Sequence, residues 1–170
     1  MVAPSPPAEL AGQIESLHAA SFGWALACCG RDRDQAREVL QQVYCKVLSG
    51  KARFHGRSTL RTWLFGVIRL TAREQRRWSW LPWAGQGATP ASAPRPDEVA
   101  AAREEAAALS AALAGLSARQ REVLHLVFYE DLSISEAAQI MNVSLGSARQ
   151  HYERGKSNLL AALTKKGGRP

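Results

Sequence analysis

The sequence predicts an all-α protein made of two small helical domains joined by a flexible linker. Apolar residues recur at spacings of three and four over most of the chain, which is the period of an amphipathic helix. Prolines and glycines between residues 80 and 96 interrupt that period. No segment shows the alternation expected of a strand. With 170 residues, 46% of them hydrophobic, the chain is long enough to bury two small cores.

Three helices are predicted before the linker. The first spans residues 10–29, after nine residues rich in Pro and Ala that are expected to be disordered. The second spans residues 35–48 and is capped by Asp32 or Asp34. The third starts at a cap on Ser58 or Thr59 and ends near Trp78. Its predicted buried face holds Leu60, Trp63, Leu64, Val67, Ile68 and Thr71, and its predicted exposed face carries Arg61, Arg69, Arg73, Arg76 and Arg77.

Four helices are predicted after the linker. Residues 97–113 are rich in alanine, the best helix former. Ser117 starts the next helix and forms a capping box with Gln120. A short helix then starts at Ser133 or Ser135, and Ser144 begins the last one. The predicted domains are therefore residues 10–79 and 97–165, with residues 166–170 as a tail.

Charge is concentrated in two basic segments. The formal net charge is +7 and the pI is about 9.8, which favours a polyanionic partner such as nucleic acid or an anionic membrane surface. Residues 51–77 hold eight basic side chains and one acid, and residues 144–170 hold six and one. Residues 97–143, between them, hold eight acids and three arginines.

Several function classes are disfavoured by what the sequence lacks. Three cysteines without a CxxC spacing indicate reduced thiols in a cytoplasmic protein, not a metal site. The N-terminus has no signal-peptide pattern, and no apolar run is long enough to insert into a membrane. No Ser-His-Asp, HExxH, Walker or paired-carboxylate pattern is present. We therefore expect neither an enzyme nor a cofactor.

Residues 133–156 have the pattern of a helix-turn-helix. Ala138 is small enough for two helices to approach, Asn142 suits a left-handed turn, and Val143 can fill the corner. Ser144 then caps a basic second helix, whose N-terminal turns would enter a major groove. Its arginines and Lys156 would contact phosphates. A plain helical hairpin is the alternative interpretation. The inner face of the second helix holds Ala148 and Tyr152, and the outer face largely holds Ser147, Gln150, His151 and Arg154.

Three segments resemble extracytoplasmic function (ECF) sigma factors of the sigma-70 superfamily. AREVLQQVYCKVL (36–48) and FHGRSTLRTWLFGVIRLTAREQRR (54–77) resemble region two of that family. LSARQREVLHLVFYEDLSISEAAQIMNVSLGSARQHYERGKSNL (116–159) resembles region four. The order and spacing of the family are kept over about residues 10–163, and the linker lies where the family has one.

The resemblance implies an alternative sigma factor that binds core RNA polymerase, directs it to promoters and helps to melt the DNA. It assigns binding of core polymerase to Glu38, Gln41, Gln42, Tyr44 and Leu48. It assigns the melted minus-ten element to Arg53, Phe54, His55, Arg57, Ser58, Arg61, Arg69, Leu70, Arg73, Arg76 and Arg77. It assigns the minus-thirty-five duplex to Ser144, Leu145, Ser147, Arg149, Gln150, His151, Arg154 and Lys156. Ala138, Asn142, Val143, Ala148 and Tyr152 would shape the helix-turn-helix.

Some positions depart from the family pattern. Leu70 and Glu74 stand where polar readers of bases are common. Glu153 places an acid on the reading helix, which would repel phosphate unless paired. Gly155 costs about 1 kcal/mol of helix stability relative to alanine.

Three further expectations follow from the resemblance and its rivals. An anti-sigma factor is an expected partner, because such control is common in the family. The main alternative is a helix-turn-helix regulator that binds an operator without polymerase. That alternative leaves residues 53–77 unexplained. A nucleic-acid enzyme or its accessory subunit is a third possibility.

Overall fold

The computed structural model describes residues 7–78 and 100–167. Over these residues it contains helices and no strand, which confirms the predicted all-α class. The predicted linker at residues 80–96 lies outside the described residues. The helices are α1 (Pro7–Ser16), α2 (His18–Cys28), α3 (Arg33–Leu48), α4 (Leu60–Trp78), α5 (Ala100–Ala114), α6 (Ala118–Leu124), α7 (Ile134–Met141) and α8 (Leu145–Gly167), with a π-helical turn at His125–Tyr129.

The chain forms two compact units. Of the described residues, the first unit holds residues 7–78 and 139–142, and the second unit holds the others. Two boundaries differ from the prediction. Residues 7–9 are already helical, because Pro7 at a first helical position forfeits no hydrogen bond. The predicted first helix breaks at Leu17, whose φ of −91° and ψ of 0° leave the helical region.

The first unit is a bundle in which α2, α3 and α4 pack on one another. Trp24 and Phe65 are fully buried, and their rings stack with centroids 5.9 Å apart. The indole Nε1 of Trp24 donates to the backbone carbonyl of Phe65 at 2.9 Å, so the one polar atom of this large side chain is satisfied. Val39 and Val43 of α3 are also fully buried.

Local capping explains where the long helices of this unit begin. The Asp32 carboxylate accepts from the backbone N–H groups of Asp34 and Gln35, both at 3.0 Å, and so fixes the start of α3. Thr59 precedes α4, and its Oγ1 accepts from the backbone N–H of Thr62 at 3.1 Å. Of the caps left open by the sequence, Asp32 and Thr59 are the ones used.

The buried face of α4 is rotated from the predicted one. Phe65 and Arg69, which were not assigned to the core, are 0% and 5% exposed, whereas Trp63 and Val67 are only half-buried. The prediction that Arg69 lies on the exposed face is therefore wrong. Arg61 is half-buried, with its guanidinium 5.3 Å above the Phe65 ring. Long arginine stems can cover apolar surface, which a simple apolar count does not register.

The second unit packs α8 against α5 and α6. The capping box predicted at the start of α6 is confirmed: the Gln120 backbone donates to Ser117 Oγ at 3.3 Å, and the Ser117 backbone donates to Gln120 Oε1 at 3.1 Å. A Cβ placed on Gly155 of α8 would come within 3.1 Å of Leu124 Cδ1, so glycine permits this close approach of α8 to α6.

The π-helical turn changes which side chains after α6 face solvent. The backbone N–H of Glu130 donates to the carbonyl of His125, five residues earlier, at 3.2 Å. Phe128 is 61% exposed, and Tyr129 is 73% exposed.

Candidate functional site

Two side chains of the loop between α3 and α4 that are predicted to bind the melted DNA strand are exposed to solvent. His55 and Arg57 are exposed. The Arg53 side chain is also exposed, and its Nε donates to the carbonyl of Gly50 at 3.1 Å. Gly50 and Gly56 have φ of 73° and 68°, in the left-handed region that favours glycine.

Phe54 forms an aromatic pair at the base of this loop. Its ring is half-buried and lies 5.4 Å from the Trp63 ring of α4, between centroids, at an angle of 49°. Ser58 is half-buried too, and its hydroxyl donates to the carbonyl of Thr59 at 3.2 Å. The loop therefore contacts α4 through this aromatic pair, while the side chains of Arg53, His55 and Arg57 are exposed.

The outer face of α4 continues from the aromatic pair. Leu70 is 59% exposed, and Arg73 and Arg76 are exposed. Arg76 donates from Nη2 to the carbonyl of Cys28 at 2.9 Å. Arg77 lies in α4, but its side chain is outside the described residues.

The one acid of this basic segment is held by a neighbouring helix. Lys46 of α3 lies 2.7 Å from the Glu74 carboxylate and donates to Thr71 Oγ1 at 3.0 Å. Part of the negative charge of Glu74 is thereby offset, so α4 presents a largely cationic face to a polyanion.

The residues that the family resemblance assigns to polymerase binding lie on α3 with different exposure. Glu38, Gln41 and Leu48 are exposed, and Leu48 is 68% exposed despite its apolar side chain. Gln42 is half-buried and lies 3.5 Å from the Glu38 carboxylate through its Nε2. Tyr44 is half-buried, and burial raises the pKa of its hydroxyl.

Tyr44 is joined to α2 by a contact that the sequence did not suggest. His18 Nδ1 lies 2.9 Å from the Tyr44 hydroxyl, within hydrogen-bond distance. His18, Tyr44 and Leu48 line two adjoining concave surfaces of about 490 Å³ each. The first is completed by α1, including Ile14, and the second by Arg33 and other residues of α2 and α3.

The turn of the helix-turn-helix is closed by a pair of backbone hydrogen bonds. Asn142 has φ of 51°, the left-handed conformation. Its N–H donates to the carbonyl of Gln139 at 3.1 Å, and the N–H of Val143 donates to the carbonyl of Ala138 at 3.1 Å. This is the Schellman motif, in which backbone N–H groups beyond the helix satisfy carbonyls of its last turn and so terminate α7. Ala138 is buried and Val143 is half-buried.

The second helix starts from a serine cap. Ser144 Oγ accepts from the backbone N–H of Ser147 at 3.1 Å and lies 2.9 Å from the Ser147 hydroxyl. Ala148 is fully buried, which points the opposite side of α8 outward. Leu145 is 40% exposed at the first turn. On that outer side, Arg149, Gln150 and Arg154 are exposed, and Ser147 and His151 are half-buried.

One predicted phosphate contact is occupied within the protein. Lys156 Nζ lies 3.1 Å from the Glu153 carboxylate and 4.5 Å above the Tyr152 ring. The Tyr152 ring in turn stacks on Phe128 with centroids 5.7 Å apart. Glu153 is therefore paired with a cation, so its negative charge is offset and repels phosphate less.

Neither a metal cluster nor a membrane span is found in the described part of the chain. No three His, Cys, Asp or Glu side chains within residues 7–78 and 100–167 are arranged to hold a metal ion. No helix there is both long and apolar enough to cross a bilayer. Burial raises the pKa of the Cys29 thiol to about 11, which disfavours the reactive thiolate.

Residues 112–159 match the family described as Sigma-70, region 4. Solved structures that share the fold include two complexes. One is the sigma factor RpoE in complex with the anti-sigma factor NepR from Bartonella quintana, with a TM-score of 0.68, 21% identity, and coverage of 92% of this chain and 97% of that one. The other is CnrH in complex with the cytosolic domain of CnrY, with a TM-score of 0.63, 23% identity, and coverage of 91% and 87%.

Relatives that match most of the length of the chain include two bacterial sigma factors. The ECF RNA polymerase sigma factor SigX of Bacillus subtilis is 31% identical over 134 residues, which cover 74% of this chain and 69% of SigX. The ECF RNA polymerase sigma factor SigC of Mycobacterium tuberculosis is 28% identical over 139 residues, which cover 81% and 75%. The chain therefore belongs to the extracytoplasmic function family of RNA polymerase sigma factors, the proteins that direct core polymerase to promoters.

Proposed function

We propose that the two units of this sigma factor divide promoter recognition between them. Residues 10–79 bind core polymerase and the melted minus-ten strand, and residues 97–165 read the minus-thirty-five duplex. The observation that carries this division is that the two basic segments, residues 51–77 and 144–170, belong to different compact units. Each unit thus has its own cationic surface for a polyanion.

The melted strand is bound by the loop before α4 and by the outer face of that helix. His55 and Arg57 are exposed beside the Phe54–Trp63 pair, so an unstacked base can contact both an aromatic edge and hydrogen-bond donors. Arg73 is exposed for backbone phosphates. Arg69 is left out of this surface because it is buried.

Core polymerase is bound by the exposed side of α3. Gln41 and Leu48 flank Tyr44 there, and a polar and apolar mixture of this kind suits a protein interface. Replacing Gln41 and Tyr44 by alanine should weaken capture of core polymerase while the circular dichroism spectrum stays helical. Unchanged capture would contradict this surface.

The duplex is read by the outer side of α8. Ser147, Gln150 and His151 lie within the first turns after the Ser144 cap, where a recognition helix meets base edges. Arg149 and Arg154 are exposed and hold phosphates, which strengthens binding to any sequence.

The proposal also includes where the protein acts and whether it catalyses a reaction. The protein acts in the cytoplasm, with the polymerase, and catalyses no reaction of its own.

An anti-sigma factor is a further proposed partner. The solved structures of RpoE and CnrH each contain a second protein, and for RpoE it is an anti-sigma factor.

The division can be tested by where substitutions act. His55→Ala and Arg57→Ala should reduce permanganate reactivity of thymines in the open complex but leave a gel shift of the upstream element intact. Gln150→Ala should do the reverse. Loop variants that melt DNA normally but lose the upstream shift would reverse the assignment. Specific transcription from a cognate promoter by core polymerase plus this chain alone would exclude the interpretation as an operator-binding regulator, because such a regulator cannot provide it.

A further inference from the structure

Gly66 stands near the middle of α4 without a packing reason. Glycine destabilises a helix interior relative to alanine, so an internal glycine is usually explained by a close neighbour. Gly155 has such a neighbour in Leu124. A Cβ built on Gly66 would meet nothing within 4 Å. The free protein therefore has room for a side chain at residue 66 and lacks one.

The surface around Gly66 has features of a binding face for single-stranded nucleic acid. Trp63, Gly66, Leu70 and Arg73 follow one another at spacings of three and four, so they share one face of α4. Trp63 carries the aromatic contact to Phe54, Leu70 is 59% exposed, and Arg73 is exposed. Aromatic rings beside cations form the usual platform for unstacked bases.

The charge of this face favours a polyanion over a protein. Arg73 lies on this face, and Arg57 and Arg76 of the same basic segment are exposed. The one acid of residues 51–77, Glu74, is tied to Lys46. The aromatic pair and Leu70 would flank a ligand that lies directly on the backbone of α4. A ligand that is flat, apolar on its faces and anionic on its rim is a nucleotide.

We infer that Gly66 keeps the middle of α4 bare so that one nucleotide of the melted strand can lie against the helix backbone, between the Phe54–Trp63 pair and Leu70. This inference rests on the proposed function of the first unit. A side chain at residue 66 would occupy the place of the base or sugar. Its effect should therefore appear only when the strand is bound.

The test separates stability from strand binding. Gly66→Ala and Gly66→Gln should raise the melting temperature of the free protein, because alanine and glutamine favour a helix. The matched control is Gly12→Ala, since Gly12 lies in α1, is exposed and also has nothing within 4 Å of a built Cβ. The probe is a fluorescent pool of random single-stranded DNA, enriched for sequences that wild-type holoenzyme retains better than core polymerase alone.

Holoenzyme with Gly66→Ala should bind that pool more weakly, by roughly five- to 140-fold, the value of one base stack. Gly66→Gln should lose more, and Gly12→Ala should match the wild type. Wild-type affinity in Gly66→Ala, or a lowered melting temperature, would overturn the inference. So would a loss of core association with unchanged strand binding, because the contact would then be with polymerase. Failure of wild-type holoenzyme to enrich any pool would instead refute the proposed minus-ten surface itself.

Discussion

Gly155→Ala should destabilise the second unit, although alanine is the better helix former. Gly155 is buried in α8, and its new Cβ would lie 3.1 Å from Leu124 Cδ1 and 3.3 Å from both Leu124 Cγ and Gln120 Cβ. Leu124 is 4% exposed and has little space to move. Gln120 Cβ is close to the main chain of α6 and is held by the capping box. Relief therefore requires α6 and α8 to move apart.

The magnitude follows from two opposed terms. Overpacking of a filled site costs about 1–3 kcal/mol. The change from glycine to alanine inside a helix returns about 1 kcal/mol. The free energy of unfolding should therefore fall by about 0–2 kcal/mol, and it should fall further for Gly155→Val, which adds two more carbons at the same contact.

Hydrogen exchange of the full chain, read peptide by peptide, measures this change in α6 and α8 separately from the first unit. Gly146→Ala is the control in the same helix, because a Cβ there meets only Ser144 Oγ, at 3.9 Å. Protection should rise or stay level for Gly146→Ala and fall for Gly155→Ala. Equal stabilisation by the two substitutions would show that α6 and α8 have room for a Cβ at residue 155, which would contradict this prediction.

Three other predictions concern local structure. Asn142→Ala should cost about 1–2 kcal/mol in urea denaturation because of its φ of 51°, whereas Asn142→Gly should be tolerated; equal effects would exclude a backbone cause. Asp32→Ala should cost about 1 kcal/mol by removing the cap of α3, and Asp32→Asn should retain most of it; a neutral alanine variant would show that the cap is dispensable. Because burial raises the pKa of Cys29 from 9.0 to about 11, the unfolded chain loses that proton first as pH rises. Stability should therefore decline between about pH 9 and 11, and an unchanged decline in Cys29→Ser would assign it elsewhere.

The sequence was a good guide to the helices because their signals are local. Helix caps can be predicted from side chains within three residues of the helix start, as at Ser117, Asp32 and Thr59. The face of α4 could not be fixed in the same way. Trp63 is apolar yet half-buried, and Arg69 is charged yet 5% exposed, because the packing of α2 and α3 decides which stripe of α4 is covered.

The candidate surfaces show the same limit. The exposure of His55, Arg57 and Gln150 agrees with their assignment to binding surfaces, which remains a prediction. His18 and Tyr44 lie within hydrogen-bond distance although they are 26 positions apart in the sequence, so no local sequence pattern predicts this contact. The exposure of Phe128 depends on a π-helical turn, which apolar periodicity at 3.6 residues does not detect.

The π-helical turn also bears on how chain length can vary in this protein. A turn closed between residues five apart contains one residue more than an α-helical turn. Loss of one residue from His125–Tyr129 could be absorbed by closing the same stretch as an α-helix, with α6 still seated on α8. Since each helical residue contributes about 100° of rotation, the aromatic side chains of the turn would then face a different direction. A single deletion here should redirect a surface while leaving the neighbouring helices folded.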